Sequence, residues 1–68
     1  MNMKIVVQNR MTNAYLDEDA KWVNGLERAR GFATPWEAVR YCAELGLRGA
    51  DMLVCYMSPK PNMRVPVS

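Results

Sequence analysis

The chain has 68 residues, half of them hydrophobic, and nine Lys and Arg against seven Asp and Glu give a formal net charge of +2. A chain of this size forms one domain, residues 1–68, and buries only about 60% of the surface that its unfolded form exposes. The small charge does not by itself predict a polyanionic partner, and the lack of histidine and of a CxxC pair excludes the usual structural zinc sites.

The first predicted element is a strand over residues 3–8, because β-branched residues occupy its centre. Its side chains alternate between an apolar side, with Met3, Ile5 and Val7, and a polar side, with Lys4 and Gln8. We therefore expect one face of this strand to lie against the core and the other to contact water.

Two short strands, over residues 14–16 and 21–23, are predicted to form a hairpin around the acidic turn 17–20. The turn contains Asp17, Glu18 and Asp19, which could in principle bind calcium. A dedicated calcium loop needs six or more oxygen ligands in a set spacing, with a glycine at its sharp turn. That spacing is absent, so a solvated hairpin turn is the favoured interpretation.

The segment between the hairpin and the helix has no clear periodicity. Asn24 and Gly25 end the hairpin pattern, and residues 26–30 are compatible with an irregular connection or with a single helical turn. Phe32 is the expected core anchor immediately before the helix.

A helix with a well-marked start and end is predicted from Thr34 to Gly46. Thr34 is a preferred N-cap residue and Pro35 suits the first helical position. Glu37 follows Thr34 by three residues, which completes a capping box, and Gly46 ends the helix.

The apolar surface of this helix is wider than one sheet face requires. Glu37, Arg40 and Glu44 share one narrow charged stripe when residues are placed about 100° apart. More than half of the circumference is apolar and carries Trp36, Ala38, Val39, Tyr41, Cys42, Ala43 and Leu45. We expect something besides the sheet to cover the remainder.

The strongest predicted strand spans residues 51–57 and is apolar on both faces. Met52, Val54 and Tyr56 alternate along it with Leu53, Cys55 and Met57. This pattern is typical of a strand that is covered on both sides. In the tail, Met63, Val65 and Val67 alternate with Arg64 and Pro66, and a proline there confines the segment to a sheet edge or a bulge.

The order of elements predicts an α+β fold, with a small, mostly antiparallel sheet of about four to five strands and one helix packed across one face. One helix cannot cover both sides of a sheet. A second copy of the chain would supply the missing cover most simply, and the C-terminal tail is the intramolecular alternative. The expected interface residues of a homodimer are Tyr41, Met52, Val54, Met57, Met63 and Val65.

The residue types give little support for catalysis. Without histidine, neither Cys42 nor Cys55 can be activated by an imidazole, and both lie in apolar runs where cysteine acts as a core residue. We expect no catalytic residue, cofactor or metal. Because no secretory signal or membrane-spanning stretch is recognisable, we expect a cytoplasmic protein with two free thiols.

Part of the chain resembles small bacterial proteins of unassigned function. The resemblance rests on a hairpin with a Tyr-Leu pair and a tryptophan, an Ala-x-x-Phe segment, and a capped helix that starts with a Glu-Ala pair. The matching residues are Tyr15, Leu16, Trp22, Ala29, Phe32, Thr34, Glu37 and Ala38. The resemblance implies a fold rather than an activity, and it assigns no catalytic or binding residue.

The sequence therefore predicts a small non-enzymatic cytoplasmic domain that acts through protein–protein contacts and self-associates, with a further, unidentified protein partner as a possibility. One alternative is an enzyme with a site at a dimer interface, which a cleft lined by Glu37, Arg40 and Glu44 would favour. The other is a module for single-stranded nucleic acid, for which aromatic residues interleaved with arginines are a weak signal. A continuous basic face would favour that module, and it would have to join Lys4, Arg28, Arg30 and Arg48.

Overall fold

A computed structural model of the chain describes residues 4–55 and 61–67. These residues form one α-helix and a five-stranded antiparallel sheet, which confirms the predicted α+β fold. The strands are β1 (Lys4–Asn9), β2 (Tyr15–Leu16), β3 (Trp22–Val23), β4 (Ala50–Cys55) and β5 (Pro61–Pro66), and the helix is α1 (Pro35–Leu45). The strand order across the sheet is β3-β2-β1-β4-β5.

Strands β1 and β4 form the centre of the sheet and pair along their whole length, from Lys4 opposite Cys55 to Asn9 opposite Ala50. Every residue of β4 is buried, as its two-sided apolar pattern predicts. The prediction of a wet face on β1 was wrong, because Val6 and Gln8 are buried as well as Ile5 and Val7. Both central strands therefore have both faces covered.

The main core lies between the sheet and α1. Phe32, the predicted anchor, is buried there, and its backbone N–H donates to the carbonyl of Ile5 at 2.8 Å. The buried members of this core are Ile5, Val7, Leu16, Phe32, Ala38, Cys42, Ala50, Met52 and Val54. Two of them, Ala38 and Cys42, are small helical residues, so the helix can approach the sheet closely.

The opposite face of the sheet is covered by residues 24–30, the segment whose structure the sequence left open. It contains a short 3₁₀ turn, Leu26–Arg28, preceded by Gly25 with a positive φ of 99°. Ala29 joins Val6, Leu53 and Cys55 in a second buried cluster, and Leu26 and Tyr15 pack around it. This cover explains why the polar face that was expected on β1 is buried.

The hairpin and its turn agree with the prediction. Strands β2 and β3 pair as Tyr15 with Val23 and Leu16 with Trp22. One carboxylate oxygen of Asp17 accepts hydrogen bonds from the backbone N–H groups of Asp19 and Lys21, both at 2.9 Å. The carboxylate thus closes its own turn, and the part of the chain that the structure describes contains no group of three acidic or thiol ligands suited to a metal ion.

The C-terminal tail forms β5 at the edge of the sheet, as Pro66 predicts, and pairs antiparallel with β4. Val65 and Val67 are partly buried against the main core, so the tail supplies some of the cover that a second copy was expected to provide. The predicted strand over residues 51–57 ends at Cys55 in the structure, and residues 56 and 57 lie outside the described part of the chain.

Both predicted ends of α1 are confirmed. The hydroxyl oxygen of Thr34 accepts from the backbone N–H of Glu37 at 3.2 Å, and a carboxylate oxygen of Glu37 accepts from the N–H of Ala33 at 3.1 Å. Glu37 thus caps the residue before Thr34 rather than Thr34 itself. Gly46 adopts the left-handed conformation with φ 65°, which ends the helix.

Removing the cap should lower the stability of the domain. We expect Thr34→Ala to reduce the free energy of unfolding by about 1 kcal/mol, because the N–H of Glu37 loses its acceptor. The control is Thr34→Ser, which keeps a hydroxyl in the same place and should lie close to the parent. Urea unfolding measures both, and an unchanged midpoint for Thr34→Ala would contradict the capping assignment.

The two cysteines are free and lie in different clusters. Cys42 lies on the inner side of α1, in the main core, whereas Cys55 belongs to the cluster on the opposite face of the sheet. Burial raises the pKa of the Cys42 thiol and also that of the Cys55 thiol. Because the sheet lies between them, a disulfide between these two residues would require the fold to open.

We expect both thiols to react slowly in the native protein and rapidly in urea. The raised pKa lowers the fraction of reactive thiolate, and burial keeps the reagent away from the sulfur atoms. A chromogenic disulfide reagent monitors the two reactions directly. Fast labelling of Cys42 or Cys55 in the native state would contradict the assigned burial.

Candidate protein-contact surface

The helix carries an apolar stripe on the side that faces away from the sheet. Trp36 lies about 200° around the helix from the buried Ala38, and its side is therefore almost opposite the core. Trp36 is 70% exposed, and Ala43, two turns further along, is also exposed. Val39 lies beside them and is half-buried. We call Trp36, Val39 and Ala43 the outer stripe.

Charged side chains run along one edge of the outer stripe. Arg40 and Glu44 form an exposed ion pair with a distance of 3.7 Å between the Arg40 Nε and a carboxylate oxygen of Glu44. Glu37 lies one turn before Arg40, and its carboxylate is held by the backbone N–H of Ala33. The surface thus combines an apolar strip with a polar border, which is the usual composition of a protein interface.

Three of the residues expected at an interface face the core of their own chain. Met52 and Val54 are each 5% exposed and pack beneath α1. Tyr41 is half-buried, with its ring centroid 5.5 Å from that of Phe32 and 4.3 Å from the guanidinium carbon of Arg30. The helix itself occupies the face of β4 that the sequence assigned to a second copy.

Two of the other expected interface residues lie in the tail. Met63 is 52% exposed at the sheet edge, whereas Val65, next but one in the same strand, is partly buried against the main core. Met57 lies outside the described residues. Besides Met63 and Trp36, the described part of the chain exposes three further large apolar side chains, Met11, Trp22 and Leu45.

The sequence did not identify the outer stripe as the exposed part of the apolar arc, although the signal was available. Once Ala38 and Cys42 are taken as the core-facing positions, the 100° spacing places Trp36 and Ala43 on the far side. The apolar pattern by itself could not show which part of the arc faces the sheet.

An ion triad around the buried Asp51 carboxylate, which the sequence also did not identify, ties β4 to β5 and to the loop after β1. The Asp51 side chain is 3% exposed and accepts from Arg10 at 2.7 Å and from Arg64 at 2.8 Å. Two hydrogen bonds, the more important one from Arg10 and the other from Arg64, hold the pKa of the Asp51 carboxyl below its ordinary value. A buried carboxylate needs charged partners, and Arg10 and Arg64 meet this need for Asp51.

A shallow acidic hollow of about 320 Å³ lies between the hairpin turn and the 3₁₀ turn. It is lined by Asp17, Glu18, Asp19, Glu27, Arg28 and Ala29. The three charged residues expected to line an enzyme cleft are instead exposed along α1, away from this hollow.

Two of the four basic residues that would have to share one face for nucleic-acid binding, Lys4 and Arg30, lie on opposite faces of the sheet. The Lys4 ammonium group donates to the carbonyl of Leu26 at 3.0 Å, on the face covered by residues 24–30. The Arg30 guanidinium lies over the rings of Phe32 and Tyr41, at 4.9 and 4.3 Å, on the helix side. Lys4 and Arg30 are therefore separated by the sheet.

Comparison of the chain with protein-family models, with curated proteins and with solved structures finds no match. The resemblance to small bacterial proteins stays a prediction about the fold. No helix in residues 4–55 and 61–67 has the length and apolar character needed to cross a membrane.

The Asp51 triad should make the stability of the domain depend on pH. The pKa of Asp51 is lower in the folded than in the unfolded chain. The ionised carboxylate therefore stabilises the fold fully above the ordinary aspartate pKa of about 3.9, and this stabilisation is lost as the pH falls through the folded-state pKa. We expect Asp51→Asn to be less stable than the parent at pH 7, and the difference to shrink below about pH 4.

Urea unfolding between pH 7 and pH 2 measures this difference. The control is Asp19→Asn, because Asp19 is exposed in the hairpin turn and its carboxylate is outside the triad. A difference between the parent and Asp51→Asn that stays constant over the whole pH range would contradict the assigned ion triad.

Proposed function

We propose that the protein is a non-enzymatic domain that acts through protein contacts, with the outer stripe of α1 as its contact surface. The exposure of Trp36 carries this proposal. Tryptophan brings 150–250 Å² of contact area and is enriched among the residues that dominate binding energy. At 70% exposure, Trp36 contributes little to the core of its own chain.

The surroundings of Trp36 support the same use. Val39 and Ala43 extend the apolar surface along the helix, and Glu37, Arg40 and Glu44 border it on one side. The capped ends of α1 hold these side chains on a rigid element, so little conformational entropy is lost when a partner binds.

The setting that we propose is the cytoplasm. Cys42 and Cys55 are free thiols in separate clusters, and proteins of reducing compartments commonly keep buried cysteines in this form. A shared-interface enzyme and a nucleic-acid module have no comparable observation in their favour among the described residues.

Site-specific photo-crosslinking tests the contact surface directly. We replace Trp36 by a photoreactive phenylalanine analogue in cells that produce the protein, and we place the same analogue at Glu18 as the control. Glu18 is exposed in the hairpin turn, on an element separate from α1. Illumination should give a discrete protein adduct from position 36 and none from position 18.

The adduct is then identified by mass spectrometry, which reports whether it contains this chain or another protein. Either identity supports a contact surface on α1. Equal adducts from the two positions, or none from position 36, would overturn the proposal, provided that both variants keep the unfolding midpoint of the parent.

A further inference from the structure

We infer that the partner of the outer stripe is a second copy of this chain, with the two α1 helices packed antiparallel about a twofold axis between residues 39 and 40. This inference rests on the proposed function and names its partner. It also moves the expected homodimer interface from β4, which the chain covers itself, to the outside of the helix.

The sizes of the side chains favour the antiparallel arrangement. Trp36 and Ala43 are seven residues apart on the same side of the helix, about 10 Å along its axis. With the twofold axis midway between them, Trp36 of each copy lies over Ala43 of the other. Each large ring thus meets a small residue, and the contact is made twice, as an isologous interface requires.

A parallel arrangement lacks this match. It would place Trp36 against Trp36 at one end and Ala43 against Ala43 at the other, which separates the helices at the first contact and leaves a gap at the second. Val39 lies next to the twofold axis in the antiparallel pair and faces Val39 of the other copy. The centre of the interface is then apolar along its whole length.

The charges are self-complementary in the same arrangement. A twofold axis in the plane of the interface brings the charged edges of both helices to the same side. Arg40 of each copy then lies within about 3 Å of Glu37 of the other copy, measured along the helix axis. In a parallel pair, the twofold axis would run along the helices and place the two charged edges on opposite sides of the interface, so Arg40 and Glu37 of different copies could not pair.

The expected affinity follows from the size of the contact. An 11-residue helix is only about 16 Å long. Its outer face gives an interface below the roughly 1,200 Å² at which stable complexes begin, so the association belongs to the weak, reversible class. We therefore expect a dimer that forms at micromolar rather than nanomolar concentration.

Sedimentation equilibrium over a range of about 1 µM to 1 mM tests the pairing. The average mass of the parent should rise with concentration from 7.8 kDa towards twice that value. Ala43→Lys places a charge under the partner's Trp36 and should stay monomeric, with an unfolding midpoint like that of the parent because residue 43 is exposed. Ala33→Lys is the matched control, since Ala33 is exposed before the helix, and it should associate like the parent.

A charge exchange tests the antiparallel register. Glu37→Lys and Arg40→Glu should each weaken self-association at least about tenfold, since each brings like charges together at both ends. Mixed in equal amounts, the two variants should recover a dimer, because every cross-pair then joins opposite charges. Circular dichroism monitors the helix in Glu37→Lys, which also loses its contact with the Ala33 N–H.

A parent that stays monomeric up to the highest concentration would overturn the inference, and so would an Ala43→Lys variant that associates like the parent. A mixture that fails to recover the dimer while both single variants remain folded would contradict the register. If the parent is monomeric but photo-crosslinking at position 36 captures another protein, the proposed function stands and this inference fails. If both experiments give nothing, both fail.

Discussion

The fold depends on one constraint, which is that β1 and β4 pair along six residues and expose no face of that pair to water. A central pair of this kind needs an apolar layer on each side. Helix α1 supplies one layer through Ala38 and Cys42, and residues 24–30 supply the other through Ala29 and Leu26. The Asp51 triad and the edge strand β5 are arranged around this pair.

This constraint also decides where apolar surface is left over. Because the chain covers both faces of β4, the two-sided pattern of that strand is satisfied within one copy. Among the described residues, the large apolar side chains that stay exposed are Trp36, on the outer side of α1, and Met11, Trp22, Leu45 and Met63. The two sides of the helix thus have different roles. The inner side completes the core, and the outer side is available for a partner.

The features that the sequence predicted correctly are governed by local chemistry. The Thr34 and Gly46 ends of the helix depend on residues within a few positions, as does the hairpin turn that Asp17 closes. The edge position of the tail follows from the missing N–H of Pro66. In each instance the structure is fixed by neighbours that can be inspected in the sequence.

The features that were missed depend on distant residues. Residues 24–30 have no hydrophobic periodicity. They cover the sheet face that carries Val6 and Leu53, two residues that lie far away in the chain. Asp51 is held by Arg10 and Arg64, 41 and 13 positions away, so the sequence showed only three scattered charges. The exposure of Trp36 could be predicted only after the side of α1 that faces the sheet was known.

The central proposal is that the domain makes its protein contacts through the outer side of α1, around the exposed Trp36. It is tested most directly by following the backbone amide and indole N–H signals in an NMR titration of protein concentration. The account predicts that concentration-dependent shifts cluster at Trp36, its indole included, and along the exposed side of the helix, while Trp22 and the β4 amides stay unchanged. Shifts centred on β4 or β5, with the Trp36 indole unaffected, would contradict it.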